Sequence, residues 1–266
     1  MYEFNYQKAG SVADAVARLA AATDGRVLAG GQTLIASMKM RLVAPSDLID
    51  LAGAPGLAAI ETAMGGLKIG AMATHASVAA SPAVLEAIPA LAALASGIGD
   101  RMVRQMGTIG GSVANNDPAA DYPAAVVALG ATVHTNKRQI PADGFFKGMY
   151  ETALDTGEII TAITFPVPQR AAYIKFKNPA SRYAIVGVFG AQTATGVRVA
   201  VTGAGPGVFR VPAMEAALAA NFSSAALAGI TVSAADLNTD MHASAEYRAH
   251  LIGVLAKRAV DAALAA

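Results

Sequence analysis

A protein of mixed helices and strands is what this sequence predicts, on three observations. The N-terminus reads strand, helix, strand. Short strands set apart by glycine and proline turns fill the middle, and the C-terminal part is helical.

The elements follow in order. Residues 11–22 (SVADAVARLAAA) carry apolar side chains at helical spacing, and the Ser11 hydroxyl suits an N-cap. Arg26-Val27-Leu28 is a short strand that runs into the glycine-rich stretch Ala29-Gly30-Gly31-Gln32-Thr33-Leu34. Thr33 to Arg41 reads as a helix with Leu34, Ile35 and Met38 on one face, and Leu48 to Leu51 as a strand. That βαβ order fits a small parallel sheet. Gly65-Gly66 joins two short strands, the second from Leu67 to Met72. Residues 75–106 are helical in two or three pieces. A second glycine-rich loop, Thr108-Ile109-Gly110-Gly111-Ser112, leads through Asn115 and Asn116 to a helix from Asp121 to Leu129. Strands cover 131–141 and 158–165. Pro166, Pro168, Gln169 and Arg170 then form a linker. Strands near 172–178, 184–194 and 197–203 precede helices at 212–220, 223–228 and 244–264.

Composition narrows the function. The 266 residues allow one large or two modest domains. Hydrophobic residues make up 54% and charged ones 15%, so the chain can bury a sizeable core and its charge-poor surface calls for a covering partner. A net charge of +1 gives no reason to expect nucleic-acid binding. The absence of cysteine rules out disulfides, cysteine-held clusters and a thiol nucleophile, and it favours a reducing, cytoplasmic setting. The start, Met1-Tyr2-Glu3-Phe4-Asn5, has no signal-peptide pattern, and no apolar run is long enough to span a membrane.

The two glycine-rich segments carry the chemistry. Turns without side chains expose backbone N–H groups, which is what a pyrophosphate needs, and neither segment holds a lysine that could clamp phosphate. Gly110 and Gly111 let the backbone approach a ligand closely, Thr108 and Ser112 offer hydroxyls, and Asp121 suits ribose hydroxyls. Together they point to a dinucleotide held between two segments. The bland alternatives stay open. The first segment can be a strand-to-helix turn needing positive φ. The second can be a surface loop in which Asp117 caps a turn and Asp121 caps the next helix. Gly203 to Gly207 reads as a turn, and Lys177, Arg182 and Tyr183 read locally as a surface hairpin. The four histidines are scattered, and His242 and His250 have no acid in register, so no metal site is expected.

The order of motifs resembles one family from end to end: the FAD-binding medium subunits of the molybdenum hydroxylases, the group of carbon monoxide and xanthine dehydrogenases. The resemblance rests on AGGQTLIASMKMRL (29–42), LIDL (48–51), IGAMATHASVAASP (69–82), VRQMGTIGGSVANNDPAADYP (103–123), GEIITAITFP (157–166), YIKFKNPASRYAIVGV (173–188) and HASAEYRAHLIGVL (242–255). It implies an α+β fold. A two-lobed FAD-binding domain of the vanillyl-alcohol-oxidase type would cover residues 1–168, with a small lobe at about 1–55 and a larger one at about 56–168. A small antiparallel sheet backed by helices would cover 172–266.

The same resemblance implies that Ala29, Gly30, Gly31, Gln32 and Thr33 meet the pyrophosphate and ribityl chain. Thr108, Gly111 and Ser112 would do so from the other lobe, and Asp121 would lie near the ribose and adenine end. Ile160 would pack on the adenine or flavin system, Lys177 would stand near the isoalloxazine and Tyr183 over it. Relatives often have a basic residue where Met106 stands and His-Ala where Asn115-Asn116 stand. No catalytic side chain is expected.

The implied role is electron transfer through FAD, from the clusters of an iron–sulfur small subunit to an external acceptor. A molybdenum-cofactor large subunit would oxidise the substrate, in a dimer of heterotrimers. A membrane would enter only indirectly, if the acceptor is a quinone. The partner contact is expected near Tyr247 and Arg248 of the last helix. The rivals are a self-contained flavin oxidoreductase with its own substrate site and an assembly subunit that has lost FAD.

Overall fold

The computed structural model describes residues 1–63 and 65–266. The chain opens with β1 (Asn5–Lys8), α1 (Val12–Ala21), β2 (Gly25–Leu28), α2 (Leu34–Lys39) and β3 (Asp47–Asp50). These strands form a parallel sheet in the order β1-β3-β2, with β3 central and buried. Ser11 caps α1 as expected, accepting from the Asp14 N–H at 3.0 Å. β1 escaped the sequence reading because its residues, NYQK, are polar and mostly exposed on an edge.

Next come β4 (Ile60–Ala63) and β5 (Gly66–Gly70), then α3 (His75–Ala80), α4 (Pro82–Ala87), α5 (Pro89–Ser96) and α6 (Arg101–Met106). The helical stretch is thus in four pieces rather than two or three. Pro82 and Pro89 each open a new helix, and Gly97 to Gly99 separate the last two. α7 (Ile109–Asn115) and α8 (Tyr122–Ala128) follow, then β6 (Thr132–Thr135), β7 (Gln139–Pro141), α9 (Ala142–Phe145), β8 (Phe146–Gly148), β9 (Glu151–Thr152) and β10 (Ile160–Phe165). β4, β5, β10, β6 and β7 make an antiparallel sheet in that order, while β8 and β9 form a separate ribbon.

The remainder is β11 (Arg170–Lys177), β12 (Ala184–Thr193), β13 (Gly196–Thr202), β14 (Phe209–Arg210), α10 (Pro212–Ala220) and α11 (Ala245–Ala265), with the four strands paired antiparallel in sequence order. β12 is buried almost throughout because both of its faces are covered. Val186 and Val188 join a core with Leu251, Ile252 and Leu255 of α11. Phe189 and Ala191, on the opposite face, join the large core of α8 and the five-stranded sheet. The class is α+β, with a small antiparallel sheet of its own in the C-terminal part.

Arg248 does not lie on a contact surface. It is 3% exposed, and its guanidinium donates to the carbonyls of Ile185 and Gly203 and to Asp240, pinning α11 to the sheet. Tyr247 is exposed and meets the Phe176 ring edge-on. No helix among the described residues is long and apolar enough to cross a membrane.

A cavity between two glycine-rich segments

A cavity of about 700 Å³ lies where the parallel sheet, the five-stranded sheet and the β11–β12 hairpin meet. Ala29, Gly30, Gly31, Gln32 and Thr33 line it, as do Thr108, Gly110, Gly111, Ser112, Asp121, Ile160 and Tyr183. The first segment joins β2 to α2. Gly31 has φ +68°, a conformation that favours glycine. Gly30 lies against the backbone of Met106 and Gly107, and a Cβ there would sit 2.1 Å from the Met106 carbonyl oxygen. The first segment therefore touches, backbone to backbone, the two residues that lead into the second. Among the described residues, the N–H groups of Gly30, Gly31, Gln32, Thr33 and Leu34 have no protein acceptor. Five consecutive free donors on a cavity wall, with no cation beside them in the segment, are what an anionic, oxygen-rich group such as a pyrophosphate requires.

The second segment differs from the expected loop. Thr108 is the N-cap of α7, and Gly110 and Gly111 lie in its first turn. The donors of that turn are already engaged. Ile109 N–H donates to Ala73 O, Gly110 N–H to Ala71 O, Gly111 N–H to Thr108 Oγ1 and Ser112 N–H to Thr108 O. Gly110 is glycine for packing, because a Cβ would lie 2.5 Å from Ala71 Cβ. Gly111 is helical, without positive φ, and faces Ala29, whose Cβ would stand 3.6 Å from its own. This segment supplies shape and hydroxyls to the wall rather than a row of free amides.

Asp121 lines the cavity but does not cap α8. Its carboxylate accepts from the Tyr173 hydroxyl and from Lys175 Nζ at 3.0 Å. Burial pushes its carboxyl above the usual range, against the opposing pull of Lys175 and the Tyr173 hydrogen bond. It is thus tied into the wall and not presented as a free ribose acceptor. Asp117 does cap a turn, accepting from the Ala119 N–H at 2.9 Å. Asn116, in the left-handed region at φ 44°, donates to the carbonyls of Gly148 and Glu151 and so anchors the β8–β9 ribbon behind the wall.

Lys177 is the expected residue that the structure leaves out. It is exposed and does not line the cavity. Lys177 is the last residue of β11, beyond the point where the β11–β12 register shifts by one residue of β12 at Ile185. Lys175 is the lysine that turns inward, 9% exposed.

The lining residues that the sequence reading did not assign to the site include His75 and Glu158. His75 lines the cavity, and burial together with nearby Arg104 pushes its imidazole down to about 4, so it is neutral at pH 7. The sequence placed it only among scattered histidines, and nothing local marks it out. Glu158 also lines the cavity and is clasped by Arg138 at 2.9 Å. The described residues hold no cluster suited to a metal.

Comparison with known proteins agrees with this geometry. The family model for the FAD binding domain in molybdopterin dehydrogenase matches residues 2–168, and the one for the CO dehydrogenase flavoprotein C-terminal domain matches 171–263. The chain is 35% identical to the nicotine 6-hydroxylase medium subunit of Paenarthrobacter nicotinovorans over 269 residues, covering 96% of this chain and 95% of that one. It is 35% identical to the carbon monoxide dehydrogenase medium chain of Afipia carboxidovorans over 284 residues, covering 98% and 97%. The fold is similar to a chain of carbon monoxide dehydrogenase from Hydrogenophaga pseudoflava, with a TM-score of 0.90 and 34% identity over 99% of this chain and 98% of that one. It is also similar to a chain of quinoline 2-oxidoreductase from Pseudomonas putida 86, with a TM-score of 0.89 and 27% identity over 98% and 96%. Matched from end to end in both sequence and fold, this chain belongs to the FAD-binding medium subunits of the molybdenum hydroxylases, flavoprotein chains of oxidoreductases.

Proposed function

We propose that the chain is the electron-transfer flavoprotein subunit of a molybdenum-containing hydroxylase or dehydrogenase complex. The observation that carries this is the wall of free donors from Gly30 to Leu34, facing a second segment across a cavity large enough for a dinucleotide. The residues present fit FAD. Ala29 to Thr33 hold the pyrophosphate, and Thr108, Gly110, Gly111 and Ser112 shape the opposite side. Asp121 closes the wall beside the hairpin, Ile160 supplies apolar contact and Tyr183 covers the ring system. Lys177 has at most an outer role, from solvent. The working division is a FAD-binding domain at 1–168, with lobes at about 1–55 and 56–168, and a C-terminal domain at 172–266.

When bound, FAD supplies the redox chemistry that passes electrons from a partner's iron–sulfur clusters to an external acceptor. This chain's residues bind and orient it, and none has to move a proton. With no cysteine, the chain cannot itself hold an iron–sulfur relay. The partners are therefore an iron–sulfur small subunit and a molybdenum-cofactor large subunit, arranged as a dimer of heterotrimers in the cytoplasm. The alternative, a self-contained flavin oxidoreductase, is disfavoured because the chain matches medium subunits of multi-chain enzymes from end to end and has no cysteine for covalent flavin attachment.

Co-purification with tagged neighbouring subunits, followed by addition of the complex's substrate, is the test. The flavin should be reduced in the complex and stay oxidised in the isolated chain. An isolated chain that turns over an organic substrate and reduces its own flavin would establish the self-contained enzyme instead.

A further inference from the structure

The tip of the β11–β12 hairpin, residues 178–183, carries Tyr183 onto the cavity wall and is exposed along most of its length. Inside the tip, Asn178 organises the turn. Its side-chain oxygen accepts from the N–H groups of Ala180 and Ser181, and its backbone pairs with Arg182 and Tyr183. Arg182 adopts φ +64°, an uncommon conformation for a residue with a Cβ, held only because its surroundings fix it. Asn178 Nδ2 also meets His242 Nδ1, ahead of α11, at 3.3 Å, but none of these bonds ties residues 179–183 to the body of the protein.

Lys175 does. Its Nζ donates to the Arg182 carbonyl, to Asp121 Oδ2 and to the Gly97 carbonyl at the end of α5, each at 3.0 Å. One buried ammonium thus joins the hairpin tip, the acid at the start of α8 and the helix end beside the cavity, with all three of its donors used. A weaker link, from the Arg182 guanidinium to Gly99 O at 3.3 Å, runs in parallel on the exposed side. Lys175 does not itself line the cavity.

We infer that Lys175 is a positioning residue that sets Tyr183 against the flavin ring system by fixing Arg182 one residue earlier. This rests on the reading that Tyr183 covers the ring, and it adds the device that holds it there. Removing the ammonium frees the tip at the backbone and leaves Asp121 with the Tyr173 hydroxyl alone. Tyr183 then samples positions away from the wall.

The experiment uses the full chain loaded with FAD and reads the visible spectrum and the fluorescence yield of the bound flavin, with the melting temperature as a check on folding. A tyrosine stacked on a flavin quenches its emission, so Tyr183→Leu should raise the yield several-fold and shift the visible band. Lys175→Met should reproduce both changes, and Lys175→Arg, which keeps charge and donors, should return most of the wild-type signature. If Lys175→Met does not accumulate as folded protein, Lys175→Gln, which keeps a single amide donor pair, provides the same comparison. A folded Lys175 variant with a wild-type flavin signature, beside a Tyr183→Leu protein that has lost it, overturns the positioning role and leaves the placement of Tyr183 standing. A Tyr183→Leu protein with an unaltered signature overturns that placement and the inference with it.

Discussion

Gly111 and Thr108 show how little separates a structural role from a binding role on this wall. Thr108 caps α7 through Gly111, and Gly111 is the second segment's point of approach to Ala29. A valine at 111 is allowed by the helical backbone, but its Cβ would stand 2.9 Å from Thr108 Oγ1 and 3.6 Å from Ala29 Cβ, so it would push the capping hydroxyl aside and fill the gap toward the first segment. Gly111→Val should therefore fold and lose FAD, whereas Thr108→Ala should lose about 0.5–2 kcal/mol of stability with its cap and bind FAD more weakly. Flavin content per chain and the melting temperature measure both effects. A folded valine variant with full flavin content would remove the second segment from the binding site. The glycines themselves were legible as residues that permit close approach. What they approach was not: Gly110 is small because of Ala71, which the sequence places almost forty positions away.

Among the elements, β6, β7 and β10 are fastened beside the cavity by one buried carboxylate. Glu158 accepts from Arg138, from the Asp155 N–H and from the Thr135 hydroxyl, and those bonds, led by Arg138, hold its carboxyl down at about 2 from an ordinary value of 4.5. A depressed carboxyl stabilises the fold fully above the unfolded value, and the contribution is lost as pH falls through the folded one. The melting temperature should accordingly drop between pH about 4.5 and about 2. Glu158→Gln should cost about 1–3 kcal/mol at neutral pH and flatten that part of the curve. A variant whose acid profile matches wild type would show that the clasp contributes nothing. Elements with strong local signals were readable at this scale: Ser11 announced α1, and the strand expected near 184–194 is β12, though its cover on both faces was not read. Elements whose character comes from elsewhere were not. Polar β1 is a strand because β3 offers it an edge. Lys175 and Lys177 are equivalent by simple alternation, and only Lys175 finds the Asp121 carboxylate and two carbonyls brought to it by other segments, while Lys177 ends the strand in solvent.

For the whole molecule, the order of segments along the chain matters as much as their contacts. Residues 29–34 follow the parallel sheet, residues 108–112 follow four further helices, and Tyr183 arrives with the C-terminal sheet. Three separately built pieces each supply one side of a single cavity, and Gly30 meets Met106 only when the first two are docked. A ligand that touches all three binds the assembled state and no partly assembled one. It therefore acts on the folding equilibrium by mass action: at a free concentration one hundred times its dissociation constant, it adds about 2.7 kcal/mol. Stripping the flavin should lower the melting temperature, adding FAD should restore it in a concentration-dependent way, and acid denaturation should release the flavin intact. A melting temperature indifferent to FAD would mean that the pieces are locked together without it. The backbone contact between Gly30 and Met106 thus makes the cofactor a late and reversible cross-link, so that the supply of flavin sets how much of this chain persists in its assembled form.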